Sequence, residues 1–486
     1  MIRSDLLPRL GGFIGGRWRE SRERFPVINP FDGDILAEVP SMGSTETNSA
    51  VHEAAVALAR SLSLEERRRL LSDLASAILE EREEIGRIIT LENGKPLPEG
   101  VAEAEYAAGF YEFAARNIDR LKSRTLSERP RDHVWTIHYR PAGVAGLITP
   151  WNFPFAMIAK KLAAALAAGA PSVIKPAEKT PLSMIALFTL LERIEIPPGL
   201  ANLVIGDAEQ IGRVLCTHQA VRVISFTGST EVGKILLAQT APHCKRVLLE
   251  LGGNAPYLVF EDADLERAAE QLVQNKLRAG GQTCVCANRI LVQRSIADEF
   301  ERALVARLQP LRVGNGMDEG VAVGPMIDRD GHEKVNRHLE DALAKGARAV
   351  FRGHMPNVSA QAGMRARAGG WFFPPTVVRG ARSGMLCARE ETFGPLFPFF
   401  EFQDEEEAIR LANDTEFGLA AYLFTEDEAR AERIVPRLCY GHVGHNTGTG
   451  PTPEAPFGGM KESGLGREGG QEGLLDFVEI QTVPRG

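Results

Sequence analysis

From Thr45 to Tyr111 the apolar positions recur at helical spacing. In LEERRRLLSDLASAILEEREEIGRIITLENGK, residues Leu70, Leu71, Leu74, Ile78 and Ile85 fall along one stripe, and the spacing predicts a helical layer. From Val144 the rhythm changes. Short apolar runs, VAGLIT, SVIKP, ANLVIG, VRVISFTG and RVLLELGG, alternate with the helical stretches AMIAKKLAAALAAG and PLSMIALFTLLERI. Parallel strands need a crossover and a helix supplies it, so this alternation predicts a parallel α/β sheet. A second series follows Gly253, with NAPYLVF, RILVQ, PTVVRG and LFPFFEF as strands and DLERAAEQLVQNKLRAG among its helices.

Two segments belong to neither series. VWTIHYRP (134–141) and LLDFVEIQTV near the C-terminus alternate like strands, and they are expected to pair with each other or with another subunit. The polar, turn-rich run His354–Gly370 is expected to be a surface loop.

A chain of 486 residues is too long for one hydrophobic core and implies two or three domains. With 56 basic against 64 acidic residues and a net charge of -8, it has no global basic field, so neither nucleic acid nor an anionic membrane is an expected partner. The longest apolar run, Leu162–Ile174, is about 13 residues and falls short of the roughly 20 needed to span a bilayer. The N-terminus MIRSDLLPRLGGFIGGRW has charge and glycine where a signal peptide has its apolar run. Of the six cysteines, four are scattered at 216, 244, 387 and 439, which is no disulfide framework. The expectation is a cytoplasmic protein.

The other two cysteines stand one residue apart in GGQTCVCANR. A Cys-x-Cys pair without a nearby histidine offers two ligands where structural zinc wants four, so no metal is expected. A buried thiol is usually a small packing residue, but this loop of glycine and amides is poor core material. A nucleophilic cysteine needs a proton acceptor and an oxyanion donor from elsewhere in the chain. LLELGGN puts Glu250 where a strand opens into a turn, and TPWNFP puts the Asn152 amide in a stiff turn; either residue alone reads equally as a cap or turn former. VRVISFTGSTEVG has the strand, glycine turn and helix start that present N–H groups to a pyrophosphate, although it has only Gly228 and Gly233. SVIKPAEKT adds Lys175 and Glu178, able to bond a ribose or to form a solvated charge cluster.

Taken in order, IGGRW, ENGKPL, TPWNFP, KPAEKTPL, FTGSTEVG, LELGGN, GGQTCVCANR, EETFGPL and PFGGMKESGLGREGG resemble the aldehyde dehydrogenase superfamily along nearly the whole chain. The resemblance implies an α/β fold. Its parts are an atypical Rossmann NAD-binding domain (1–122 and 142–252), an α/β catalytic domain (253–456) and a small β oligomerisation element (123–141 and 457–486). A homodimer or homotetramer is the implied assembly.

It also implies roles. Cys284 is the nucleophile toward an aldehyde, the Asn152 amide and the Cys284 N–H hold the oxyanion, and Glu250 activates the water that hydrolyses a thioester to a carboxylic acid. Thr149, Pro150, Trp151, Phe226, Gly228, Ser229, Lys175, Glu178, Glu391 and Phe393 match cofactor positions. A carboxylate at Glu178 accepts ribose hydroxyls and repels a 2′-phosphate, which favours NAD; Lys175 and Lys179 leave NADP possible. Cys286 matches a companion thiol that can act as a redox switch, with simple packing as its alternative.

The wording around Cys284 is most similar to the succinate-semialdehyde dehydrogenase branch, whose substrates carry a terminal carboxylate. Arg278, Lys160 and Thr452 are the implied anchors, though Lys160 stands where that branch usually has arginine and Thr452 where it has serine. A sulfonated, branched or longer acidic aldehyde is therefore an alternative substrate, as is a neutral one. An acylating enzyme that uses coenzyme A has no need of Glu250. A catalytically silent relative would lack one of Cys284, Glu250 or Asn152.

Overall fold

The computed structural model describes residues 2–355 and 370–486. Most of the expected surface loop His354–Gly370 lies outside the described residues.

The helical pattern becomes four helices, Ser44–Leu58, Leu64–Glu80, Arg82–Asn93 and Leu97–Asn117. Leu64–Glu80 begins where the pattern says it should. Ser63 accepts from the Glu66 N–H while the Glu66 carboxylate reaches back to the Ser63 N–H, a reciprocal cap. Leu71, Leu74 and Ile78 are fully buried from this helix, each contributing about 1.5 to 3 kcal/mol.

The last three pack on one another and on helices Ala156–Ala168 and Leu182–Arg193, while Ser44–Leu58 packs on an eight-stranded sheet. Its parallel centre runs Ala201–Leu203, Ser172–Lys175, Val144–Ile148, Val221–Thr227 and Arg246–Glu250. Antiparallel strands close both edges: the hairpin Gly12–Ile14 and Arg17–Arg19 on one side, Gly464–Leu465 on the other. Helix Ala156–Ala168 is buried at every residue except Met157. An apolar helix belongs in such a place, but Lys160 and Lys161 go with it, and buried ammonium groups demand partners.

The second series forms a seven-stranded sheet, in the order Arg348–Arg352, Thr376–Arg379, Leu396–Phe402, Ala287–Gln293, Ala255–Val259, Ala420–Phe424 and His442–His445. All its pairings are parallel except the first.

The two orphan segments pair with each other. Val134–Pro141 and Val478–Arg485 run antiparallel, from Val478 opposite Pro141 to Arg485 opposite Val134, with Arg124–Thr125 on the far side. The grouping of 457–486 as one oligomerisation segment needs correction. Gly464–Leu465 belongs to the first sheet beside Leu249 and Glu250, and Phe457 and Glu468 line a cavity described below. Only Val478–Arg485 belongs to the small sheet. No described helix is long and apolar enough to cross a membrane.

Gly464 lets the chain pass tightly beside Glu250. Its φ is +152°, and a Cβ there would lie 2.1 Å from the Leu249 carbonyl oxygen. Gly464→Val should therefore cost about 1 to 3 kcal/mol and lower the thermal unfolding midpoint. An unchanged midpoint would remove this close approach as a constraint.

Candidate active site

Cys284 sits at the end of an unusual backbone. Ala279, Gly280 and Gly281 take positive φ in succession, at 49°, 64° and 81°. Gly281 leaves no alternative residue, since a Cβ there would come within 2.5 Å of the Gly394 carbonyl carbon. The loop from Ala279 to Thr283 is buried, contrary to the expectation drawn from its composition. Amide bonds satisfy it: the Gln282 side chain donates to Ala279 O at 2.9 Å and accepts from Ile327 N at 3.0 Å, and Thr283 Oγ1 donates to Arg278 O at 3.2 Å.

The half-buried Cys284 lines two cavities at once, with Met157 and Thr227 as the other shared wall residues. On one side is a cavity of about 340 Å³ that gathers Pro150, Trp151, Asn152, Gly228, Ser229, Cys284, Glu391 and Phe393. Ser229 caps helix Thr230–Thr240, whose N-terminus opens here. Trp151 and Phe393 meet edge to face at 5.6 Å, and Phe393 is held at φ +57°. Glu391 Oε1 accepts from the Gly253 N–H at 3.0 Å. The hydroxyl of Thr227 is buried without a partner, and so is that of Thr149, which follows the neighbouring strand Val144–Ile148. Helix N–H groups, a carboxylate and an orphaned hydroxyl in one cleft fit a polyhydroxylated anionic ligand such as a dinucleotide.

Four of the nominated cofactor residues do not line this cavity. Phe226 packs its ring under Gly228, where a Cβ would be 2.3 Å from the ring. Thr149 lies beneath the strand end, its N–H donating to Lys175 O at 3.1 Å. Lys175 donates to Glu178 at 2.7 Å, and Glu178 opens onto an adjoining cleft that shares Lys179, Ile327 and Asp328 with the first cavity.

On the other side of Cys284 a cavity of about 310 Å³ is lined by Tyr106, Phe153, Lys160, Glu250, Arg278, Phe457 and Glu468. The Arg278 Nε is buried with no hydrogen-bond partner, and among the described residues no carboxylate lies within ion-pairing distance of its guanidinium. Gly450 closes on that group, leaving 2.8 Å between a notional Cβ and Nη2. Lys160 lies 4.0 Å from Glu468 and 5.0 Å from the Phe457 ring, while Lys161 pairs closely with Glu468.

Thr452 is not in this cavity. It is exposed and its hydroxyl donates to Glu454, whereas Thr449, Gly450 and Pro451 provide the lining. Cys286 is also absent from both cavities. It is buried behind the loop, donates to Gly281 O at 3.3 Å and lies 3.7 Å from Lys276 Nζ; both thiols of the pair are free. Among the described residues no cluster of side chains suits a metal ion.

Asn152 donates from Nδ2 to the Gln282 carbonyl at 2.9 Å, which uses one of its two N–H bonds, and its Oδ1 has no partner. Burial pushes the Cys284 thiol up to about 12, with Glu391 and Glu250 adding to the effect and Lys160 opposing it. Burial, reinforced by Glu468, holds Glu250 well above the usual carboxylate range, and its Oε2 has no partner. Burial likewise pushes Glu391 up to about 7. Burial alone would pull Lys160 down, but Tyr106, Glu468, Cys284 and Glu250 together leave it raised.

Tyr106, Phe457 and Glu468 were not nominated from the sequence. Tyr106 looks like an ordinary core aromatic; Phe457 and Glu468 lie inside the motif PFGGMKESGLGREGG, but Glu468 meets Lys161 across 307 positions of chain, so the motif marks the segment and not their place in the cavity.

Comparison with known proteins agrees with the geometry. A 3-sulfolactaldehyde dehydrogenase of Pseudomonas putida is 46% identical, covering 99% of this chain and 98% of the relative. An NADP(+) succinate-semialdehyde dehydrogenase of Escherichia coli (strain K12) is 44% identical, covering 99% of each. The crystal structure of an oxidoreductase from Marinobacter aquaeolei superposes with a TM-score of 0.95 at 55% identity, covering 100% of both chains. The aldehyde dehydrogenase family profile spans residues 18–483, and with two cavities meeting at one thiol inside that span, the chain belongs to the aldehyde dehydrogenase family.

Proposed function

We propose that this protein oxidises a short aldehyde with a terminal anion, such as succinate semialdehyde, to the carboxylic acid through a thioester on Cys284. The observation that carries the reading is the unpaired Arg278 guanidinium in the cavity that also holds Cys284 and Glu250. A cation that faces a largely buried cavity with no ion pair and an unbonded Nε, Glu99 acting on it only at longer range, is a site for a ligand's anion. Relatives named for sulfolactaldehyde and succinate semialdehyde, both acidic aldehydes, support it.

In this reading the proton leaves Cys284 as attack occurs, because the buried thiol does not ionise beforehand. Glu250, raised by burial and Glu468, is the carboxylate in the same cavity suited to accept a proton at neutral pH. The free N–H of Asn152 and the Cys284 N–H donate to the oxygen that gains charge, in a site where low polarity strengthens both bonds. The part of a nicotinamide dinucleotide, bound along Ser229, Glu391 and Phe393, is to accept a hydride. Glu250, once the proton from Cys284 has passed to solvent, deprotonates the water that attacks the thioester, and the acid leaves as the Cys284 sulfur is released.

Glu178 beside the adjoining cleft favours NAD, with Lys175 and Lys179 leaving NADP as the alternative, the cofactor in the name of the E. coli relative. The outer strand Val478–Arg485 exposes Ile480 at 59%, which supports assembly as a homodimer or homotetramer.

Three outcomes are expected. In the cofactor-free enzyme, alkylation of Cys284 by iodoacetamide, followed on its own peptide because Cys244 and Cys439 are exposed, should rise about tenfold per pH unit from 7 to 10. A plateau below pH 9 would contradict the raised thiol. Glu250→Gln should release one equivalent of reduced cofactor in a burst and then stall as the thioester. Steady turnover at the parent rate would take Glu250 out of the hydrolytic step. Arg278→Ala should lower kcat/KM for succinate semialdehyde roughly 10- to 150-fold, from about 1.5 to 3 kcal/mol for a charge-assisted bond. Neutral aldehydes of similar length should change little, and equal losses for both would refute the anionic-substrate reading.

A further inference from the structure

The motif ENGKPL contributes no atom to the chemistry described above, yet its side chains reach the turn that carries Asn152. Asn93 Nδ2 donates to the Trp151 carbonyl at 3.0 Å, and Lys95 Nζ donates to the Asn152 carbonyl at 2.8 Å. Two successive carbonyls of one turn are thus bonded by two residues of another. Lys95 also pairs with Glu103 Oε2 at 2.5 Å, both side chains being fully buried, and its ammonium stands 3.8 Å over the Phe153 ring. The other Glu103 oxygen accepts the Phe155 and Ala156 N–H groups at 2.9 and 3.1 Å, where the turn enters helix Ala156–Ala168.

Asn93, Lys95 and Glu103 therefore bond the turn at residues 151, 152, 155 and 156, with Thr180 Oγ1 adding a longer bond of 3.4 Å to the Trp151 carbonyl. By contrast, the Asn152 side chain has one bond, to Gln282, and an unpartnered Oδ1. Its aim depends on the backbone beneath it. A fully buried ion pair is a costly way to obtain stability alone, since well-packed apolar residues often do as well. What it provides here is an ammonium with two further partners, a carbonyl and a ring face, that no apolar side chain can replace.

We propose that Asn93 and Lys95 are positioning residues that fix the Asn152 turn, so that the free Asn152 N–H meets the oxygen of the reacting carbonyl. This rests on the reading of Asn152 as an oxyanion donor.

The test is a double-mutant cycle on the full-length enzyme. Single-turnover formation of reduced cofactor is measured in the parent, Lys95→Met, Asn152→Ala and the double variant, and cofactor Kd is measured by fluorescence. Lys95→Met should slow the single turnover about 10- to 100-fold, the scale of a misplaced catalytic group, with cofactor Kd unchanged. In the Asn152→Ala background the same substitution should cost less than about twofold, because the group it positions is already gone. Asn93→Ala should follow the same pattern with a smaller loss. If Lys95→Met does not fold, Asn93→Ala and the neutralised pair Lys95→Met with Glu103→Gln carry the cycle. Losses that multiply in the double variant, or a cofactor Kd that weakens with the rate, would overturn the clamp alone. Asn152→Ala at the parental rate would instead overturn the oxyanion reading, and the clamp with it.

Discussion

The carbonyl oxygen of Cys284 passes so near Gly253 that a Cβ on that glycine would come within 2.3 Å of it. This backbone-on-backbone approach locks the loop of the thiol to the turn that follows Glu250, and the rest of the site is arranged around the lock. From it the thiol reaches a wall between two cavities, with Glu391 tied to the Gly253 N–H on one side and Glu250 on the other. Only small residues permit such contact. Gly253 of LELGGN and Gly281 of GGQTC are there because chain lies directly on chain.

Such packing removes water, and the electrostatics follow. Burial raises Cys284, Glu250 and Glu391 together, with repulsion from Glu391 and Glu250 adding at the thiol and from Glu468 at Glu250. Lys160 and Lys161 are buried in the same place and offset part of that repulsion. Burial thus keeps the proton on the thiol and makes Glu250, when ionised, a stronger base. Arg278 is different in kind, a cation with an unpartnered Nε and no ion pair that feels Glu99 only at longer range, and in the proposed reaction it reads the substrate while the others tune the chemistry.

The places where sequence reasoning and structure part share one cause. Thr452 stands near the right place in the chain, but the Pro451–Pro453 stretch turns its hydroxyl out toward Glu454, so the lining falls to Thr449 and Gly450. Phe226 lies in the expected motif and supports Gly228 from beneath instead of facing the cleft. Cys286, two residues after Cys284, points its sulfur to Lys276 and Gly281, because the chain there is already turning into the strand Ala287–Gln293. In each case the motif locates a loop to within a residue or two, while the direction of a side chain depends on dihedral angles that sequence spacing does not contain.

Much was nevertheless legible in the chain. Alternation of apolar runs with helical stretches determines two parallel sheets, since strand and helix periodicities are properties of consecutive residues. The ordered motifs likewise determine the family and the identity of Cys284, Glu250 and Asn152 as the residues to examine. Tertiary structure alone decides which groups become neighbours. Lys161 meets Glu468 across 307 positions, Lys95 meets the Asn152 carbonyl across 57, and Val134–Pro141 takes Val478–Arg485 as its partner. It also decides that the thiol is protonated, because burial is a property of everything packed around a residue and is not written in the residues beside it.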